Sequence, residues 1–257
     1  MNKNLLKRIV LTSAIAVLGV STSFAALVME RDQSVDTAPS VSMYRFEVPV
    51  DLQGTYNSAG VANLTASMEK EPNTLSMNVA HVKGNPSESY VVEIYKDLAA
   101  IEAHRKSDHY QAFVNEVGSK LTNRKMYDVQ SVLLFEKKDA LSIVNDGKAV
   151  VTLTEFTVDS NEIDTVQRQY QLDMERAVRD DAGYKAGYVL RERHAKNRWY
   201  VIQIYSDQEA LTKHLNSPGY RFMMSQIQGS LQGGVTTKVL DGGDILVNHG
   251  GQAFVRP

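Results

Sequence analysis

Residues 90–110 recur at residues 200–220 with a constant offset of 110 and no gap. Tyr90, Val91, Ile94, Tyr95, Asp97, Ala100, His104, Ser107 and Tyr110 match Tyr200, Val201, Ile204, Tyr205, Asp207, Ala210, His214, Ser217 and Tyr220. A repeat of this kind means that one supersecondary unit is used twice, so the fold must be one that two equal halves complete. The apolar stripe Tyr110, Phe113, Val114, Val117, Leu121 keeps helical spacing, and Tyr220, Met223, Met224, Ile227, Leu231 keep the same one.

Each copy reads as strand, helix, strand, strand, helix pair, strand. In the first, strands are expected at 43–48, 75–82, 90–95 and 126–136, with a weaker helical pattern over 52–71. Asp97 and Ser107 are placed to cap two successive helices. In the second, strands are expected at 150–157, 184–191, 199–205 and 236–247, a helix over 163–178, and helices after Asp207 and Ser217. Asn145-Asp146-Gly147 marks a turn in the connection between copies. This element order is the split βαβ, or ferredoxin-like, arrangement. Its antiparallel sheet carries helices on one face and leaves the other bare. The expected fold class is therefore α+β: two ferredoxin-like repeats whose sheets pack face to face as an intramolecular dimeric α+β barrel. The repeats span 41–138 and 149–249, with a linker at 139–148 and a tail at 250–257. Any pocket is then expected between the two sheets.

Lys3, Lys7 and Arg8 precede an apolar run from Ile9 to Val20, and Ser23-Phe24-Ala25 supplies small residues for cleavage. Residues 1–25 read as a secretory signal peptide cut after Ala25 or Ala26, and 26–40 as a flexible leader; the basic head suggests a bacterial periplasmic or secreted protein. The apolar run is short for a bilayer span, so no stable membrane insertion is expected after cleavage. The formal net charge of the whole chain is -2, which removes the electrostatic case for a nucleic-acid partner. The chain has no cysteine, which excludes disulfides, thiolate metal sites and cysteine nucleophiles. It has no Gly-rich phosphate loop, no Gly-x-Ser-x-Gly elbow and no dinucleotide fingerprint.

The stretch Val91-Val92-Glu93-Ile94-Tyr95-Lys96-Asp97, then Ala100-Ile101-Glu102-Ala103-His104, then Ser107-Asp108-His109-Tyr110 resembles the antibiotic-biosynthesis-monooxygenase-like family of dimeric α+β barrels, which includes proteins assigned as quinol monooxygenases. The sharp part covers about thirty residues per copy, and the element order extends it over most of 41–249. The resemblance implies a cofactor-independent enzyme in which an electron-rich aromatic itself reduces dioxygen. The second copy departs from the pattern, with Gln203 in place of Glu93 and Gly219 in place of His109. At most one working pocket, in the first copy, is expected.

Such a pocket must deprotonate a phenolic hydroxyl and keep the anion dry. Glu93, His109 and His104 are the available bases of the first copy, and so the catalytic candidates. Glu93 points to the sheet face opposite Val92 and Ile94; it serves either as a base with a raised pKa or as a salt-bridged surface group. His104 recurs as His214, which suits a role in the fold; His109 occurs once, which fits function and drift equally. Tyr95, Tyr110, Trp199 and Tyr205 are candidate substrate-binding aromatics, with core packing as the alternative. No cofactor and no metal are expected. His104 and His109 are five apart across a helix break with nothing evident to orient them. Heme-degrading relatives of the fold carry an axial histidine where this chain has Val114 and Met224. The partner is then a small aromatic substrate or ligand, and the chain a monomeric pseudo-dimer. Three roles stay open: a quinol-type monooxygenase, a non-catalytic periplasmic module holding a small hydrophobic ligand, and a structural or interaction protein.

Overall fold

The computed structural model describes residues 37–241 and 245–257. The expected signal peptide and most of the leader lie outside these residues. The elements run β1 (Ser40–Glu47), α1 (Gln53–Lys70), β2 (Thr74–Val82), β3 (Asn85–Tyr95), α2 (Leu98–Lys106), α3 (Asp108–Glu116), β4 (Thr122–Tyr127), β5 (Val129–Glu136) and β6 (Ser142–Val144). The second half follows as β7 (Val150–Val158), α4 (Ile163–Asp180), β8 (Tyr184–Glu192), β9 (Arg198–Tyr205), α5 (Gln208–Asn216), α6 (Pro218–Ile227), β10 (Leu231–Asp241), β11 (Ile245–Asn248) and β12 (Ala253–Val255). The offset of 110 holds for α1 and α4, which begin at Gln53 and Ile163. Among the described residues, no helix is long and apolar enough to cross a membrane.

Each repeat forms an antiparallel sheet, ordered β2-β3-β1-β4 in the first and β8-β9-β7-β10 in the second. The final strand of each repeat then changes partner. The stretch expected as one strand over 126–136 breaks at Asp128: β4 pairs with β1 of its own repeat, and β5 crosses to β8 of the other. The stretch expected over 236–247 divides in the same way, β10 pairing with β7 and β11 with β2. Spacing alone could not show the break, because both pieces alternate correctly. The linker supplies β6, which pairs with β11, and the expected tail supplies β12, which pairs with β5.

This exchange joins two sheets into one barrel, and three layers of apolar side chains follow. The inner layer draws Val92, Ile94 and Tyr90 from the first repeat and Ile202, Ile204 and Tyr200 from the second. The outer layers pack each sheet under its own helices, with Phe135 of β5 seated in the second repeat's layer and Ile245 of β11 in the first's. Inside the barrel, the gap between Asn78, Tyr90, Ile202 and their neighbours is about 20 Å3, room for little more than one water. The expectation of a pocket between the sheets is therefore corrected. Large side chains from both repeats meet there and fill the space.

Candidate functional site

An apolar pocket lies instead on the outer face of the first sheet, under α1, α2 and α3. Strand alternation sets this: Val92 and Ile94 point into the barrel, so Val91, Glu93 and Tyr95 point towards the helices. The pocket there has a volume of about 40 Å3 and is walled by apolar groups that include Phe46, Leu64, Val79, Phe113 and Ile245. Its polar lining is Glu93, Asn63, His104, Arg105 and the tyrosines 44, 56, 95 and 110.

Local sequence fixes the two histidines. Asp97 caps α2 by accepting from the Ala100 amide at 2.9 Å, which starts the helix so that His104 falls in its last turn. Ser107 ends that helix and starts the next. Its hydroxyl donates to the His104 carbonyl at 2.7 Å and accepts from the Tyr110 amide at 3.3 Å. The break that separates His104 from His109 in sequence thus folds them back towards each other, with ring centroids 5.9 Å apart.

Both rings meet Glu71, the residue that ends α1. The Glu71 carboxylate lies 3.1 Å from His104 Nδ1 and 2.7 Å from His109 Nε2, and accepts from the Thr74 hydroxyl at 2.7 Å. Burial alone would raise its pKa; the bonds to His104, Thr74 and His109 outweigh this and hold it at about 2. A carboxylate facing Nδ1 fixes the proton of a neutral His104 there, leaving Nε2 as an acceptor. His104 is 1% exposed, and among the described residues its Nε2 has no hydrogen-bond partner; neither has the buried Asn63 Oδ1. Both belong to residues that line the pocket. Glu93 accepts from the Tyr95 hydroxyl at 3.0 Å. Burial pushes the Glu93 carboxyl above its ordinary range, against the pull of His104 and Tyr95.

Four of the residues singled out from sequence, Glu93, His104, Tyr95 and Tyr110, therefore share one pocket. His109 stands behind it, touching Glu71 and Ser107. The expectation that nothing orients His104 and His109 is corrected, because Glu71 bonds both rings; with them it brings three metal-capable donor atoms within 4.8 Å of one another. Trp199 and Tyr205 lie elsewhere: both are fully buried in the second repeat's own helix-facing core, Trp199 near Phe156 and Tyr205 edge-on to Tyr184. Glu71, Asn63 and Gly60 are additions to the site. Glu71 is signalled in sequence by Asp181, the acid 110 residues later.

The second repeat shows the same frame with its pocket filled. Tyr170 takes the place of Gly60 and stacks on Phe156 at 5.8 Å, and Trp199 takes the place of Ser89. Gln203, where the first repeat has Glu93, is buried. His214 Nδ1 meets Asp181 at 2.9 Å, as His104 meets Glu71. Gly219 leaves a space that the Arg176 side chain enters. The guanidinium donates to Asp181 at 2.8 Å, Asp173 at 2.9 Å and the Ser217 hydroxyl at 3.2 Å.

The family model for antibiotic biosynthesis monooxygenase matches residues 39–116 and again 149–225. The chain belongs to the antibiotic biosynthesis monooxygenase family. Two solved structures from this fold cover most of it. One, named a "putative monooxygenase" from Lactobacillus acidophilus, is 18% identical and superposes with a TM-score of 0.77 over 84% of this chain and 99% of its own. Another of the same name, from Fusobacterium nucleatum, is 20% identical with a TM-score of 0.75 over 87% and 100%. A third, an anthrone oxidase-like protein, is 11% identical with a TM-score of 0.51 over 87% and 98%. At these identities the likeness establishes the fold, here a tandem antibiotic-biosynthesis-monooxygenase barrel. No curated protein matches the sequence.

Proposed function

We propose that the first repeat is an exported monooxygenase that oxidises a quinol-like aromatic with dioxygen, and that the second repeat is its non-catalytic barrel partner. The observation that carries this reading is the placement of Glu93 and the unpartnered Nε2 of His104 in one apolar pocket of a family named for monooxygenation. A phenolic hydroxyl there gives its proton to the Glu93 carboxylate or to the Nε2 of a neutral His104. The apolar walls keep the resulting anion desolvated, which raises its tendency to reduce dioxygen. The substrate supplies four electrons: one oxygen atom enters the ring, the other leaves as water, and the quinol ends as a hydroxyquinone. Burial of Glu93 supports its role as base, since a raised pKa brings it closer to that of the phenol.

The cavity of about 40 Å3 accommodates waters but not an aromatic ring, so entry requires movement. Helix α3 is suited to that. It is nine residues long, contains no fully buried side chain, and carries Tyr110 and Phe113 over the pocket. The tight cavity also favours a second reading, a module that retains a small hydrophobic ligand without turning it over.

Oxygen consumption with a panel of hydroquinones tests the proposal. Glu93→Gln copies a residue that the second repeat already accommodates as Gln203, and should fold normally while losing about 100- to 10,000-fold in rate. No turnover above blank by the unaltered chain would overturn the enzymatic reading. A bound aromatic recovered by native mass spectrometry from the host would then support the binding module. Export is tested by whether the host's periplasmic fraction contains the shortened chain.

A further inference from the structure

We propose that Glu71, His104 and His109 bind one divalent transition-metal ion of the zinc class, behind the pocket. Their three ligand atoms come from the end of α1, from α2 and from α3, and lie within 4.8 Å of one another. Two imidazoles and a carboxylate form a donor set suited to zinc, cobalt or nickel, and three protein ligands leave a position for water. His109 and Glu71 side chains are each 13% exposed, which gives an ion a way in.

The second repeat supplies the independent argument. There the same corner of the fold holds an arginine between two carboxylates: Arg176 bonds Asp181 and Asp173 and reaches Ser217, while the first repeat has Asn63 where Asp173 stands. In the first repeat Ala66 stands where Arg176 does, and His109 Nε2 takes over the bonds to Glu71 and, at 3.0 Å, to Ser107. Among the described residues, Glu71 has no lysine or arginine partner. A fixed cation in one repeat is thus replaced in the other by a metal-ligating side chain beside the same carboxylate.

The surroundings of His104 fit as well. An ion on Nδ1 moves the ring proton to Nε2, and metal-bound histidines generally give that proton to a carboxylate or carbonyl. His104 Nε2 is unpartnered and shares the pocket with Glu93 and the unpartnered Asn63 oxygen. His109, bound through Nε2, carries its ring proton on Nδ1, so loading sets the tautomer of both rings. Its consequence for the pocket is that His104 changes from acceptor to donor.

The test is a competition titration of zinc against a chromophoric chelator, using the purified, untagged chain, with cobalt as a visible probe. One ion should bind per chain. His109→Gly, which copies Gly219, and Glu71→Gln should each weaken binding at least tenfold. The double variant Ala66→Arg with His109→Gly sets an arginine beside Glu71 as Arg176 stands beside Asp181; it should keep a native circular dichroism spectrum and melting transition and bind no ion. Substoichiometric binding by the unaltered chain, or binding undiminished in the double variant, overturns the proposal. These readouts do not involve turnover, so either result leaves the quinol reading to its own test.

Discussion

Gly60 and Tyr170 stand at the same place in the two repeats, and the difference between them opens a pocket in one and fills it in the other. A Cβ at Gly60 would lie 3.2 Å from Ile245 Cδ1, tight but against the end of a flexible side chain. Gly60→Ala also gains about 1 kcal/mol in helix propensity. It should leave the melting temperature nearly unchanged, whereas Gly60→Tyr should abolish ligand binding in calorimetric titration. Retained affinity in Gly60→Tyr would mean that the ligand lies elsewhere. The reverse change, Tyr170→Gly, removes a buried ring and should cost about 3–5 kcal/mol in denaturant unfolding.

The caps of α2 and α5 offer a matched pair. Asp97 and Asp207 make the same bond to the amide three residues on, at 2.9 and 2.8 Å. Each change to alanine should cost about 1 kcal/mol. Only Asp97→Ala loosens the helix that carries His104, so only it should reduce turnover or ligand affinity. Equal functional loss in Asp207→Ala would show that the effect is global destabilisation.

Inside the barrel, Glu136 of β5 accepts from the Tyr188 hydroxyl at 2.7 Å and is 3% exposed. Burial raises its carboxyl to about 7, against the Tyr188 bond and weaker ones. The folded chain therefore holds this proton between about 4.5 and 7 while the unfolded chain has released it. Stability from this group is full below pH 4.5 and lost as pH rises through 7, by about 3 kcal/mol at one pKa unit per 1.36 kcal/mol. Glu136→Gln should flatten that part of the profile in urea melts taken at successive pH values; an unchanged slope would remove the assignment.

Because β5 and β11 each complete the other repeat's sheet, neither half has a finished edge alone. Residues 37–138 expressed by themselves should pair with a second copy through β5, seen as a dimer by analytical ultracentrifugation. A stable, folded monomer would contradict this.

The duplication, the element order and the caps at Asp97 and Ser107 were legible because they rest on local chemistry and on comparison of the chain with itself. The face on which Glu93 lies followed from strand alternation. Which face holds the pocket did not, since that depends on how many large side chains meet inside the barrel. The partner change at Asp128 left no mark because an alternating strand reads alike whichever neighbour it pairs with. Glu71 could have been found by carrying the offset back to Asp181; what hid it was its position at a helix end, outside the conspicuous motif. Trp199 drew notice as the sole tryptophan. Rarity in a sequence carries no information about place: its ring lies in the helix-facing core near Phe156, where the other half has Ser89 bonded to Tyr56.

Ile245 comes from beyond the second repeat's last full strand, yet it forms part of the wall facing Gly60 and Glu93. The half whose equivalent pocket is filled therefore shapes the one its sibling keeps. A truncation that spared every polar residue named here, but removed the final thirteen positions, would still breach the chamber from behind.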